Sequence, residues 1–370
     1  MFRHGHYFDG GKKFDFPRLY DHPSGLTGSE LSCFTYARCM AAKGHDVSIL
    51  TTLSDNRCER WEGVRIIPMD KREDIGTLGG DWDVVYSWND IDALKFATSP
   101  NTLKVLNLQI NDVDHGEPGF DRFVDVYTSP SHSHRSVMSK KTPDPSKWEV
   151  VPNGCDSSVY AEWILPVPGR VIYASSPDRG LHWLLKAWPK IAAAVPHAHL
   201  KIFYELQRWV NDLVDAPPIN RDIEVLSTRA RYIRESLRRL KDHRIELVGS
   251  VSRNAIARQF MEAEVLAYPC DTINYTEGFS VTLMEACASR TVPVTTDIDA
   301  LGEIYGWHVP IVASPVGDRL DEFADLVIRA LQDEDYRSGV LKKTADLAAR
   351  YDWHALTRQL IYMLQRRGAP

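Results

Sequence analysis

The chain is expected to fold as an α/β protein with two doubly wound domains, each a parallel sheet covered by helices on both faces. Three observations carry this expectation. Short β-branched runs alternate with longer amphipathic segments along the whole chain. At 370 residues there is enough chain for two separate cores. The same strand–helix order restarts after the stiff stretch containing Pro166, Pro168 and Gly169, which marks the expected boundary.

In chain order, Thr27 to Glu30 fit a capping box that opens a helix with Leu31, Phe34, Ala37 and Met40 on one face. Gly44 then supplies a left-handed cap, and DVSILTT (46–52) is the following strand. Further strands are expected at GVRIIPM (63–69), DVVYSW (83–88), LKVLNLQI (103–110) and VDVYTS (124–129), with a strand and a turn in WEVVPNGCDSSVY (148–160). After the boundary, RVIYAS (170–175) is a strand, GLHWLLKAWPKIAAAV (180–195) a helix, and AHLKIFYE (198–205) and RIELVGSV (244–251) strands. AEVLAYP (263–269), VPVTT (292–296) and HVPIVAS (308–314) complete the second set, and the chain is helical from Asp318 onward. Two such sheets, with their carboxyl edges facing across a cleft, would hold a ligand there.

Bulk properties narrow the function. A net charge of -6 argues against a nucleic-acid coat. Six cysteines without a CxxC pair read as reduced thiols of a cytoplasmic protein, and the start MFRHGHYFDGGKKFDF lacks the apolar stretch of a signal peptide. The run STRARYIRESLRRLKDHR (227–244) reads as a solvated amphipathic face with Ile233, Leu237 and Leu240 inward; it is also compatible with peripheral contact to an anionic membrane. Paired histidines (His4 and His6, His132 and His134) and Asp-x-Asp pairs (81–83, 112–114, 297–299, 333–335) lack further ligands at metal spacing, so no metal site is expected.

The most informative stretch is TEGFSVTLMEACASRTVPVTTD (276–297). Ser280 or Thr282 can cap the helix that follows Gly278, whose missing side chain lets backbone approach a ligand. The amides of Phe279, Ser280 and Val281 then form an anion site at the helix start. Glu277 lies on one side of it, and Glu285 lies about 7–8 Å along the helix from Ser280. Carboxylates are natural acceptors for vicinal hydroxyls. Acid, phosphate-sized cradle and acid together suit a nucleotide-diphosphate sugar; a loop acid and an ordinary helix cap are the plain alternative.

Glu277-GFSVTLM-Glu285 followed by PVTTD resembles the Glu-x7-Glu signature of the family 4 retaining glycosyltransferases. The resemblance extends in order through SGLTGSE (24–30), KGHDVSILT (43–51), VVPNGCD (150–156), SSPDRGLHWLLKAWP (175–189), RIELVGSVS (244–252), AEVLAYP (263–269) and RYDWHALTRQL (350–360). It implies the GT-B fold: Rossmann-like domains at 1–166 (acceptor side) and 167–345 (donor side), and a terminal helix, 346–370, crossing back to the first. It further implies Glu277 on the donor sugar, Glu285 on the nucleotide ribose, Arg179 with Ser176 at the diphosphate, Gly28 approaching from the first domain, and Val251 and Ser252 near the base. The co-substrates implied are a nucleotide-sugar donor and a hydroxyl acceptor, with no other cofactor and no metal. Two departures stand out. Ser175 and Ser176 replace a second phosphate-loop cation, and Gln109 and Asn111, with His115 further on, stand where the family has a histidine. A nucleotide-sugar isomerase or hydrolase, or an inactive sugar-nucleotide-binding relative, is the alternative reading.

Overall fold

The computed structural model describes residues 3–7, 13–22, 25–54, 58–69, 72–78, 82–111, 119–240 and 244–369. Unit 1 comprises 1–22, 26–154 and 351–370, and unit 2 comprises 23–25 and 155–350.

In unit 1 the strands are β1 (Arg3–Tyr7), β2 (Asp46–Thr51), β3 (Arg60–Trp61), β4 (Val64–Pro68), β5 (Val84–Trp88), β6 (Leu103–Asn107), β7 (Val126–Ser129) and β8 (Trp148–Val150). They form one sheet in the order β3-β4-β2-β1-β5-β6-β7-β8. Neighbours run parallel apart from the β3–β4 hairpin. The expected strands are all present, but β1 adds a strand that hydrophobic pattern does not reveal. RHGHY has no apolar alternation; its strand identity rests on backbone pairing, His4 lying opposite Val47 on one side and Val84 on the other. Helices α1 (Gly28–Ala42), α2 (Ile75–Leu78) and α3 (His132–Met138) belong to this unit. The α1 capping box forms as read: Thr27 N donates to Glu30 Oε2 at 2.7 Å, and Glu30 N to Thr27 Oγ1 at 3.3 Å. Gly44 ends the helix at φ +86°.

In unit 2 the strands are β9 (Arg170–Tyr173), β10 (His199–Ile202), β11 (Ile245–Leu247), β12 (Val265–Ala267), β13 (Val292–Thr296) and β14 (Ile311–Val312). Their order is β11-β10-β9-β12-β13-β14, all parallel. Every residue of β13 is buried, as a strand covered on both faces requires. The helices are α4 (Leu181–Ala194), α5 (Leu206–Val214), α6 (Arg221–Arg239), α7 (Arg253–Met261), α8 (Val281–Ala288), α9 (Leu301–Tyr305), α10 (Leu320–Gln332) and α11 (Glu334–Arg350).

The last helix, α12 (Trp353–Arg366), packs in unit 1. Trp353 meets Tyr36 edge-on with ring centroids 4.9 Å apart, and Leu360 and Leu364 join the core beneath α1. Gly154 lies where this segment arrives: a Cβ there would stand 2.3 Å from the Tyr351 carbonyl oxygen. The unit boundaries differ from the expected 166/167 and 345/346. Residues 155–166 go with unit 2, where Tyr160 bonds Arg253 and Cys155 Sγ donates to the Ala348 carbonyl. Residues 346–350 remain in α11.

Among the described residues, no helix is long and apolar enough to cross a membrane. None of the six cysteines is part of a disulfide.

Candidate active site

The order of the second sheet places a topological switch between β9 and β12, so the loops after these two strands part at the carboxyl edge and leave a crevice. Arg179 lies in the loop after β9 and Glu277 in the loop after β12. The loops meet at Gly180, the N-cap of α4, which has φ +101°. A Cβ on Gly180 would stand 1.8 Å from the Pro269 carbonyl oxygen, so only glycine allows this approach.

Arg179 and Glu277 form an ion pair, Nη1 to Oε2 at 2.5 Å. The Tyr268 hydroxyl donates to the same carboxylate oxygen at 2.6 Å. Glu277 is only 6% exposed, and burial pushes its pKa above the usual carboxylate range while Arg179 and Tyr268 pull it back. Burial works against the Arg179 charge, but Glu277, Tyr268 and Asp178 outweigh it and raise its pKa, so the guanidinium stays charged. Its Nε is buried without a hydrogen-bond partner, 3.6 Å from Asp178 Oδ2. A buried donor with spare capacity is what an incoming anion would use.

The backbone ahead of α8 is held from beneath. Asp299 Oδ2 accepts from the amides of Thr276 and Glu277 and from the Thr272 hydroxyl, each at 3.0 Å. Asp299 adopts φ +54°, a left-handed conformation that aspartate tolerates better than most residues. Ser280 caps α8, its Oγ accepting from Leu283 N at 3.3 Å. Tyr305 donates to the Ser280 carbonyl at 2.6 Å and packs edge-on to Phe279. Thr282 is not the cap; its hydroxyl bonds the Ala174 carbonyl at 3.1 Å and ties α8 to the Arg179 loop. The first amides of a helix lack intrahelical acceptors, so the α8 start has the polarity of an anion site.

Glu285, 5% exposed, pairs with Arg253, the first residue of α7, and Tyr160 bonds the same cluster. Burial raises the Glu285 pKa and Arg253 opposes the rise. Each of the two acids expected to meet sugar hydroxyls carries an arginine, the counter-ion that a buried carboxylate needs. The hydroxyl of Ser176, expected at the diphosphate, donates to Asp178 Oδ1 within the turn. Ser252 caps α7, accepting from Ala255 N at 3.3 Å, and Val251 precedes it. Gly278 is buried, Val281 half-buried, and Gly28 opens α1 in unit 1. The switch point therefore gathers Arg179, Glu277 and the α8 start, while Glu285 and Ser252 both adjoin Arg253 from α7.

Sequence reading missed Asp299, Tyr268 and Arg253. The first lay inside an Asp-x-Asp pair set aside as chance, and its carboxylate proves to hold backbone. Asp297 likewise accepts from Ser314 N at 2.7 Å. Arg229, read as part of a solvated face, turns inward and donates to Asp271 Oδ2 at 2.8 Å and to the Asp178 carbonyl. His134 is buried with its Nε2 3.0 Å from the Ile110 carbonyl; burial lowers its pKa to about 4. In unit 1, Gln109 sits in a chain of amides, donating to Asn107 Oδ1 and accepting from Asn153 Nδ2, both at 2.6 Å. His115 lies outside the described residues, as do the pair at 112–114, Asp81 and the side chains of His4 and His6.

Residues 167–333 match the family described as Glycosyl transferases group 1. The chain is 26% identical over 224 residues, 57% of its length, to the phosphatidyl-myo-inositol mannosyltransferase of Mycolicibacterium smegmatis. It spans about half the length of that relative, 50%. Among solved structures, Anabaena HepE in complex with UDP-glucose superposes with TM-score 0.70 at 14% identity, covering 99% of this chain and 100% of that one. Sucrose-phosphate synthase from Thermosynechococcus elongatus gives TM-score 0.68 at 13% identity, covering 99% of each chain. The fold is GT-B, and the residues that match the glycosyl transferases group 1 family lie within unit 2.

Proposed function

We propose that the protein is a family 4 retaining glycosyltransferase that moves a sugar from a nucleotide-diphosphate sugar to a hydroxyl acceptor. The observation that carries this reading is the buried Arg179–Glu277 pair at the β9/β12 switch point, beside the capped start of α8. The mannosyltransferase relative and the UDP-glucose complex of HepE support it.

The residues divide the work by charge. Arg179 and the α8 amides meet the diphosphate; Glu277 accepts hydrogen bonds from the donor sugar, and Glu285, oriented by Arg253, meets the ribose. In the reaction the bond from the sugar's anomeric carbon to phosphate breaks and the acceptor oxygen bonds that carbon on the same face. The acceptor's proton passes to the departing diphosphate. That leaving group is already a good anion, so stabilising its charge is the main catalytic task. Arginine and helix amides do this without a metal. The setting is cytoplasmic or at the surface of a membrane.

Substituting Glu277→Gln keeps size but lowers the acceptor strength at the sugar. Transfer with a panel of UDP-, GDP-, ADP- and dTDP-sugars is expected to fall about 100-fold or more, while the variant keeps a cooperative unfolding transition. Full activity in the variant would remove Glu277 from the site. Gln109, held between two amides and unable to act as a base, favours one second reading: a nucleotide-sugar hydrolase or isomerase, or an inactive binder. Donor consumed without acceptor would support the first form, and donor bound but never consumed the second.

A further inference from the structure

Between α4 and α6 lies a cavity of about 520 Å³, lined by residues of unit 2, none of which was assigned to the donor above. Its size suits one or two sugar rings. One wall is Trp183, held in place: its Nε1 donates to Asp271 Oδ2 at 2.8 Å, and a Cβ on Gly317 would stand only 2.8 Å from its Cη2. Tyr232 adds a second aromatic side chain, and Glu224 and Thr228 bring a carboxylate and a hydroxyl. Two cations complete the lining, Arg221 and Lys186, the latter 5.1 Å from the Trp183 ring centre. Neither has a carboxylate partner among the described residues.

His182 lines the same cavity, and its buried Nδ1 has no hydrogen-bond partner. Burial, with Arg229 and Lys186 nearby, lowers its pKa to about 3, so it offers a neutral ring to a positively biased space.

These groups select a ligand chemically. Aromatic walls take the C–H face of a ring. A carboxylate and a hydroxyl take its hydroxyl groups. Two cations without a carboxylate partner among the described residues call for an anion. We propose that the cavity is a second ligand site that binds a pyranose carrying an anionic group, a sugar phosphate or a uronic acid. Asp271, held by both Trp183 and Arg229, lies within the loop that runs from β12 to Glu277, so the cavity wall and the candidate active site share one segment.

Titration calorimetry of the full chain with glucose 6-phosphate, glucuronic acid, glucose and inorganic phosphate tests this. At least one anionic sugar is expected to bind saturably, with glucose and inorganic phosphate each about tenfold weaker or more. The exposed pair Lys186→Ala with Arg221→Ala is expected to lose about tenfold in affinity or more without a change in melting temperature. Thr228→Trp, which fills the cavity, should lose binding as well, and Glu277→Gln should keep it. The proposal fails if neither anionic sugar saturates, or if the Lys186/Arg221 variant binds like the parent. It fails equally if inorganic phosphate binds as tightly, or if Glu277→Gln abolishes the heat, which would place the sugar in the donor site instead.

Discussion

The carboxyl edges of the two sheets solve the same problem with opposite chemistry. In unit 1 the edge is a run of neutral groups: Thr128 to Tyr86 at 2.9 Å, Tyr86 to Asn107 at 3.3 Å, then Asn107, Gln109 and Asn153 in sequence at 2.6 Å. Burial lifts the Tyr86 pKa to about 12, so the run stays uncharged. In unit 2 the corresponding edge holds two buried arginine–glutamate pairs. Neutral groups satisfy one another at little cost, whereas buried ions tend to cost more in desolvation than their pairing returns. Evolution of a stable edge alone would not require the ions. Their presence fits the proposed function, in which the unit 2 edge meets a charged ligand and the amides of unit 1 an uncharged one.

The contrast is most severely tested at the backbone. Gly180→Ala drives a methyl group into the Pro269 carbonyl and is expected to cost about 4 kcal/mol or more, read as loss of the cooperative unfolding transition or of soluble protein. Arg179→Ala leaves Glu277 buried without its cation. A loss of about 3–5 kcal/mol in urea unfolding is expected, together with a fall in transfer of about 100-fold or more. An intact, active Arg179→Ala protein would erase the distinction between the edges.

The acids also give the two edges different pH behaviour. Glu277 and Glu285 have folded pKa values raised above the ordinary 4.5. The folded protein therefore holds their protons where the unfolded chain has lost them. Their contribution to stability is full below pH 4.5 and declines as pH rises through the folded values. The decline amounts to about 1.4 kcal/mol for each tenfold by which folding tightens a carboxyl's hold on its proton. Urea midpoints across this range should fall less steeply in the Glu277→Gln, Glu285→Gln double variant than in the parent. The smallest effect is expected in unit 1. Gln109→Ala should cost about 1 kcal/mol and reduce kcat/KM less than tenfold, since no ion is left unpaired.

The sequence displayed the parts of the fold that depend on local pattern and concealed those that depend on placement. Strands such as VPVTT and the Thr27 capping box were legible because periodicity and spacing specify them within a few residues. RHGHY was not legible, since its neighbours rather than its side chains make it a strand. Glu277, Glu285 and Arg179 could be singled out by motif. Arg253 could not, because nothing in its own stretch marks it as the partner of Glu285 across 32 positions. Asp299 escaped for a related reason: its carboxylate bonds backbone amides, which leave no trace in residue type. Arg229 had the composition of a solvated face and the position of a buried strut.

The placement of α12 bears on the order in which the chain acquires structure. Phe34 and Tyr36 share one apolar cluster with Trp353, Leu360 and Leu364. During synthesis, the first half of the protein emerges without the side chains that close its interior, while 155–350 can collapse as soon as they are out. Unit 1, though it lies earlier in the sequence, is thus expected to be the last to become solid. A released chain truncated after Arg350 should display a protease-resistant second unit joined to a first unit that is still readily cut.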